Sequence, residues 1–343
     1  MSIDHDQYLK VRKNVGLFDA TNSYGRLFAR GKDALDLLHR MSTNDLKPLE
    51  QAKGQAVLTI LTNEKGRFID VLKVVRDSAG DTLLITSKDK EESIIQWLDK
   101  FTIMEDARFE LATEKIAQFL ICGPKAISIV RQYASQESIE ESRASVFDLQ
   151  IESIPATFVK APSLAGNAWF VLTAVDTASS VWSKLEANVL GRGGAIFDSE
   201  LFEVLRIENG TPVAPNEINE KHNPLELKLA LEAVSFTKGC YIGQEVIARL
   251  DAQDKVQRQL VGLRFQDGSP AIGNRISDEA LVGVNPLGDE IGDVTSIAHS
   301  PANGAIGLGY VRAKYANLGT IVSVKDNEGH KLPAMIVTLP FDV

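Results

Sequence analysis

The sequence predicts an α+β protein that ends in a small all-β domain, and three observations carry that expectation. Up to about residue 255, apolar stripes at helical spacing and alternating strand-like runs follow one another irregularly, which fits α+β better than a doubly wound parallel sheet. Beyond that point helical periodicity is lost and glycine and proline rise. Short alternating runs recur there at Leu260 to Phe265, Glu290 to Ile297, Ile306 to Val311, Thr320 to Val324 and Ala334 to Leu339, as in a sandwich or barrel. Finally, 343 residues exceed what one ordinary core organises, so two or three domains are expected.

The elements follow in order. Val15 to Asp19 is followed by Gly25 to Gly31, which reads as a strand closed by its glycine. Lys32 to Met41 carries Leu35, Leu38 and His39 at helical spacing, and Asn44-Asp45 ends it. Val57 to Thr62 and Arg67 to Arg76 form a hairpin across the turn Asn63-Glu64-Lys65-Gly66. A strand over Asp81 to Ser87 leads into a helix from Lys88 to Phe101, with Ser87 as its expected cap. Ile116 to Cys122 reads as a strand, Gly123-Pro124 as a helix start, and Ser135 to Ser145 as a loop or short helix. Strands follow near Thr157 to Lys160 and Trp169 to Val175. Helices follow over Thr177 to Leu190 and, capped by Ser199, up to Asn209-Gly210. Ala233 to Thr237 reads as a short strand and Val246 to Arg249 as the opening of a helix or strand.

Composition narrows the function classes. A formal charge of −9 and a pI near 5.2 argue against a surface built to neutralise nucleic-acid phosphate. The two cysteines, Cys122 and Cys240, are far apart, so no disulfide framework, zinc knuckle or dithiol motif is expected. The five histidines show no metal-ligand spacing, and the phosphate-loop, dinucleotide and H-E-x-x-H signatures are absent. No apolar run approaches the ~18 residues of a membrane span. The acidic amino terminus resembles no targeting segment, so a cytoplasmic location is expected.

Two acids stand against their pattern. Asp70 lies on a strand whose faces both look buried, with Phe68, Leu72 and Val74 on its own side, and an unpaired carboxylate there would cost several kcal/mol, roughly. It either accepts backbone or lysine hydrogen bonds at a sheet edge or binds something. Glu208 continues the stripe Leu201, Val204, Leu205, and is either a solvated acid at a fraying helix end or a ligand group. The densest signal is the octapeptide Lys238-Gly239-Cys240-Tyr241-Ile242-Gly243-Gln244-Glu245, whose glycines permit tight turning and close backbone approach. Cys122 reads as a small buried hydrophobe. Cys240, between a glycine and a tyrosine with Lys238 nearby, reads as a reactive thiol.

The octapeptide resembles the K-G-C-[YF]-x-G-Q-E signature of the YgfZ family, within the glycine cleavage T-protein superfamily. Gly16 to Asp19, Thr43 to Asp45, Asn63 to Gly66 and Leu205 to Gly210 are similar to T-protein landmarks in the same order. The resemblance implies a three-domain cloverleaf around a central hole that binds tetrahydrofolate. Residues 1–50 with 115–254 would form one interlocked α+β unit, 51–114 a second, and 255–343 a barrel-like third. It implies that Asp70 stands near the reactive nitrogens and that Glu208 binds the pterin edge, two adjacent N–H donors that one carboxylate can accept. Lys238, Arg249 and Arg258 become candidate anion contacts, with Gly239, Tyr241 and Gln244 beside the cofactor and Cys240 as the reactive group. The chain departs from T-proteins at Ala20 to Tyr24, which lack a histidine. It departs again at Val71, where an acid is usual, and at Ala214-Pro215 in place of Tyr-Gly, although Glu217 is retained. Asp251 to Asp254 replaces the aromatic-Arg-Gly usual in the YgfZ branch.

The function implied is a tetrahydrofolate-binding protein that supports iron–sulfur cluster assembly or repair and, through it, tRNA modification. Its partners would be iron–sulfur enzymes or assembly factors, with no direct nucleic-acid or membrane contact and no metal site of its own. The alternative is a folate-dependent aminomethyltransferase or demethylase that moves a one-carbon unit onto tetrahydrofolate. A scaffold without folate affinity is the third possibility.

Overall fold

The structure, a computed structural model, describes residues 3–134, 145–253, 256–266, 268, 270–278, 290–326 and 328–342. Residues 135–144 of the expected loop, and Asp254, lie outside the described residues.

Two antiparallel-rich sheets face each other and a closed barrel flanks them. The first sheet has the order β11-β1-β7-β10-β9-β8, from β1 (Gly16–Asp19), β7 (Ile116–Cys122), β8 (Val146–Ile151), β9 (Ile154–Lys160), β10 (Ala168–Ala174) and β11 (Ala195–Ile196). Only the β1–β11 pairing is parallel. The second sheet has the order β3-β4-β5-β2-β6, from β2 (Tyr24–Arg30), β3 (Gln55–Thr62), β4 (Phe68–Arg76), β5 (Thr82–Ser87) and β6 (Arg108–Leu111). β2 pairs with β5 and β6, so residues before 50 contribute a strand to the second sheet, and helix α2 (Ala34–Met41) follows it.

Apolar residues decide the layering. Val75, Leu83 and Ile85 of the second sheet meet Phe18, Leu120, Phe170 and Leu172 of the first in one inter-sheet core. The outer face of the second sheet is covered by α2 and by α4 (Glu91–Asp99), after the short α3 (Pro48–Gln51). That of the first is covered by α5 (Ala126–Tyr133) and α6 (Ala178–Gly191). Each fully buried leucine in these stripes, such as Leu38 or Leu185, contributes about 1.5–3 kcal/mol. The N-terminal α1 (His5–Lys13) and α7 (Ser199–Asn209) close one end.

The barrel closes in the order β12-β15-β14-β13-β16-β17, from β12 (Arg258–Phe265), β13 (Arg275–Asp278), β14 (Glu290–Ser300), β15 (Gly304–Arg312), β16 (Ile321–Lys325) and β17 (Lys331–Val337), with β17 pairing back onto β12. The α+β fold with its barrel agrees with the sequence expectation.

Three local readings change. Ser87 ends β5 instead of capping a helix; α4 starts at Glu91 after Lys90, and the Ser87 N–H turns to Asp70. Asp198, not Ser199, caps α7 by accepting from the Leu201 N–H at 2.9 Å. The strand expected over Ala233 to Thr237 is instead the end of a short helix, α8 (Ala230–Ala233), and irregular chain, and α9 (Gln244–Ala252) follows. Among the described residues no helix is long and apolar enough to cross a membrane.

Candidate functional site

A cavity of about 370 Å³ opens between the two sheets, α7, the loop after it and the segment before α8. That size lies at the small end of ligand-binding clefts. Its walls are apolar and aromatic, with Tyr24, Leu58, Val71, Ile85, Phe170 and Phe202 among them. Its charged groups are Lys73, Lys88, Lys228 and Glu232, and the hydroxyls of Tyr24, Thr86 and Ser87 are among its other polar groups. Strand pairing explains the wall. Val71 stands opposite Ile60, and Lys73 opposite both Leu58 and Ile85, so alternate residues of β4 face the cavity side.

Lys73 is the cavity's unusual group. Its ammonium makes no hydrogen bond or close ion pair with any described residue. Burial pushes its pKa down to about 8, only partly opposed by Glu232. Lys73 thus brings a cation short of close partners to a cavity with aromatic walls. Burial also pushes the Tyr24 hydroxyl up to about 12, so it is a proton donor at neutral pH. Sequence reasoning missed Lys73, although one signal was available: a lysine at an alternating position of a strand that looks buried on both faces.

The residues singled out in the sequence are not assembled around this cavity. Asp70 is sealed on the opposite face of β4, among Leu61, Leu72 and Val74 under the helices. Its Oδ2 accepts from the Ser87 N–H at 2.9 Å, and its Oδ1 has no partner. Burial raises its pKa to about 6. It faces away because side chains alternate across a strand, which puts Val71 and not Asp70 on the cavity side.

Glu208 is also spoken for. It is buried at the end of α7, where it accepts from Tyr8 Oη at 2.9 Å, from Ser300 Oγ and from the Arg12 guanidinium. The Tyr8 hydroxyl is pushed up to about 12 by burial and by Glu208. A carboxylate with this many partners ties α1, α7 and β14 together.

The octapeptide lies over the hairpin end and helix-bearing side of the second sheet. The Lys238 ammonium donates to the carbonyls of His39, Ser42 and Asn44, which uses all three of its protons on the last turn of α2 and the chain just after it. Burial lowers its pKa to about 8. In this structure it fastens backbone. Tyr241 is buried in the core shared with the barrel, and Ile242 packs on the α2 side. Gly243 has φ of +83°, and a Cβ there would lie 2.6 Å from the Asn63 carbonyl oxygen. Cys240 is exposed and Cys122 buried, the latter with its thiol pushed up to about 12 by burial. Arg249 is exposed on α9, and Gly239 and Gln244 are outside the cavity wall. Arg258 pairs with Asp293 at 3.2 Å in a separate cleft. Among the described residues no group of three or more metal-ligating side chains is placed to hold a metal ion.

A two-sheet α+β body with an inter-sheet cavity and a closed six-stranded barrel is the class of fold these observations define. The chain belongs to the glycine cleavage T-protein family: the GCVT N-terminal domain matches residues 2–238 and the glycine cleavage T-protein C-terminal barrel domain matches residues 258–342. It is 27% identical to a putative chloroplastic transferase of Arabidopsis thaliana over 340 residues, 98% of this chain and 73% of that one. It is 29% identical to the aminomethyltransferase of Caldanaerobacter subterraneus subsp. tengcongensis over 320 residues, 92% of this chain and 81% of the relative. The crystal structure of the glycine cleavage system aminomethyltransferase T from Bartonella henselae superposes with a TM-score of 0.81 at 21% identity, covering 98% of this chain and 88% of that one.

Proposed function

We propose that the inter-sheet cavity binds a reduced folate and that the chain uses it in one-carbon transfer of the aminomethyltransferase type. The observation that carries this is Lys73, an ammonium without a close partner in an aromatic-walled cavity of a glycine cleavage T-protein fold. The residues fit the molecule. Tyr24, Phe170 and Phe202 offer surfaces for a flat heterocycle, the Tyr24 hydroxyl a donor, and Lys73, Lys88 and Lys228 positive charge for its carboxylates. Bound tetrahydrofolate would supply N5 as the one-carbon acceptor. The protein's part is to exclude water with the apolar wall of Leu58, Val71 and Ile85 and to hold the anionic end.

The aminomethyltransferases of similar sequence support this reading. A specific feature favours a second one. The octapeptide presents Cys240 at the surface, away from the cavity wall, where the thiol is open to a partner, and this supports a folate-binding protein of the YgfZ type that meets iron–sulfur enzymes or assembly factors.

Titration calorimetry with tetrahydrofolate tests the common premise. Wild type and Cys240→Ala are expected to bind alike, and Lys73→Met at least roughly tenfold more weakly, the loss of one buried charge-assisted contact. Absence of binding by the wild type overturns both readings. Formation of methylenetetrahydrofolate from amine donors by the same sample decides for the enzyme.

A further inference from the structure

A second cleft, of about 410 Å³, lies where the β3–β4 hairpin, the segment before α8 and the outside of the barrel meet. On a chain of net charge −9 it gathers four cationic side chains, Arg67, Lys221, Arg258 and Arg275, against two carboxylates, Glu226 and Asp293. Glu290, outside the cleft, holds Arg275 at 2.7 Å, and Asp293 engages one nitrogen of Arg258.

At its edge is a buried histidine held as binding sites hold them. His222 is 3% exposed and its ring lies flat on Tyr310, with centroids 3.5 Å apart and planes at 10°. Its Nδ1 is 2.7 Å from Glu226 Oε2, and Asn223 Nδ2 donates to the other carboxylate oxygen at 2.6 Å. Arg67 stands 3.6 Å from the same oxygen and donates to the Lys221 carbonyl at 2.8 Å. Ring orientation is thus fixed from two sides. Nε2 has no hydrogen-bond partner among the described residues, and His222 is one of the residues that line the cleft. With Nδ1–H held by Glu226, an anion at Nε2 would complete an imidazolium bonded at both nitrogens, and the arginines would supply further N–H donors.

We infer that this cleft is a binding site for a small anion bearing a phosphate or carboxylate group, with His222 Nε2 and Arg258 as its central donors. The site is separate from the inter-sheet cavity, and the inference does not rest on the folate reading.

The test is imidazole ¹H–¹⁵N correlation spectroscopy on the full chain, titrated with inorganic phosphate, with malonate and, at matched ionic strength, with sodium chloride. The expected result is a saturable shift of the His222 signals, assigned with His222→Asn, by phosphate or malonate and not by chloride. Whichever saturates at lower concentration identifies the phosphoryl or the carboxylate form. Arg258→Gln is expected to raise the dissociation constant at least roughly tenfold and Arg258→Lys less, since a bidentate fork becomes a single ammonium. Arg275→Gln, a change at an exposed side chain, is expected to weaken binding without unfolding the barrel. Saturating tetrahydrofolate is expected to leave the phosphate titration unchanged. Shifts that chloride reproduces, an unchanged affinity in both arginine variants, or displacement by tetrahydrofolate would each overturn the inference.

Discussion

Asp70 and Lys73 occupy the same strand, point to opposite faces and both resist ionisation, with different consequences. Burial raises Asp70 from 3.8 to about 6, so the folded chain holds a proton that the unfolded chain has released. Its favourable contribution is complete below pH 3.8 and is lost as pH rises through 6. Asp70→Asn keeps an acceptor for the Ser87 N–H and cannot ionise. It is expected to stabilise the protein by about 1 to 3 kcal/mol at neutral pH and to be near neutral at pH 4, as read by urea denaturation. A variant that is equally stable at neutral pH but loses folate binding would restore Asp70 to the site. Lys73 runs the other way. Its pKa falls from 10.5 to about 8, so the unfolded chain binds the extra proton between those values, and stability rises with pH across that window. Lys73→Met is expected to raise the melting temperature at neutral pH, in calorimetry, while weakening an anionic ligand. That pairing is the mark of a residue kept for binding at the expense of stability. Both residues break the apolar pattern of a strand, so the anomaly was legible in the sequence. Which face looks onto a cavity was not, because that depends on what the second sheet packs against.

At the scale of elements, the octapeptide is a docking device. Gly243, in the left-handed region, brings the start of α9 against the hairpin turn, and Gly66, with φ of +64°, receives it beside Val246 and Ile247. Gly239 has no atom within 4 Å of the place where its Cβ would be. Gly243→Ala is therefore expected to cost about 2 kcal/mol or more, from strain plus the clash with the Asn63 carbonyl, and Gly239→Ala well under ~1 kcal/mol. Thermal denaturation of the two variants measures the contrast, and equal costs would contradict it. The motif's density in the sequence was real, yet in the structure Lys238 spends its charge on carbonyls, Tyr241 packs in a core and Gly243 makes a close backbone approach. The long periodic elements were legible: the β3–β4 hairpin from its Asn-Glu-Lys-Gly turn, and α2, α6 and α7 from their apolar stripes. The short strands β6, β8, β11 and β13 were not, because a few residues carry no period and are strands only through their partners. The helix ending at Ala233 read as a strand for the same reason.

At the scale of the whole molecule, α7 is the joint between the two-sheet body and the barrel, and it is polar where the sequence led one to expect a ligand group. Arg206, buried, bonds Ser296 Oγ of β14 at 2.7 Å and faces Glu217 at 3.4 Å. Two residues on, Glu208 bonds Arg12, Tyr8 and Ser300 of the same strand. The Phe341 N–H, beyond the barrel, donates to the Glu208 carbonyl at 2.7 Å. Two ion pairs on one helix, Arg206–Glu217 and Glu208–Arg12, thus hold the groups to which the barrel's Ser296 and Ser300 hydroxyls bond, and breaking one leaves an uncompensated charge at that joint. Glu208→Gln is expected to lower stability by about 3–5 kcal/mol by stranding Arg12. Arg12→Met in the same chain should recover part of the loss, giving a coupling energy of about 1–3 kcal/mol in a double-mutant cycle. Folate affinity of whatever remains folded should match the wild type. Full stability with folate binding abolished would instead show that Glu208 serves the ligand, and the cycle would then close without coupling. Calorimetric melting of the four chains, with tetrahydrofolate titrated into each, separates the two outcomes: a joint reports in the melting temperature and a ligand group in the binding isotherm.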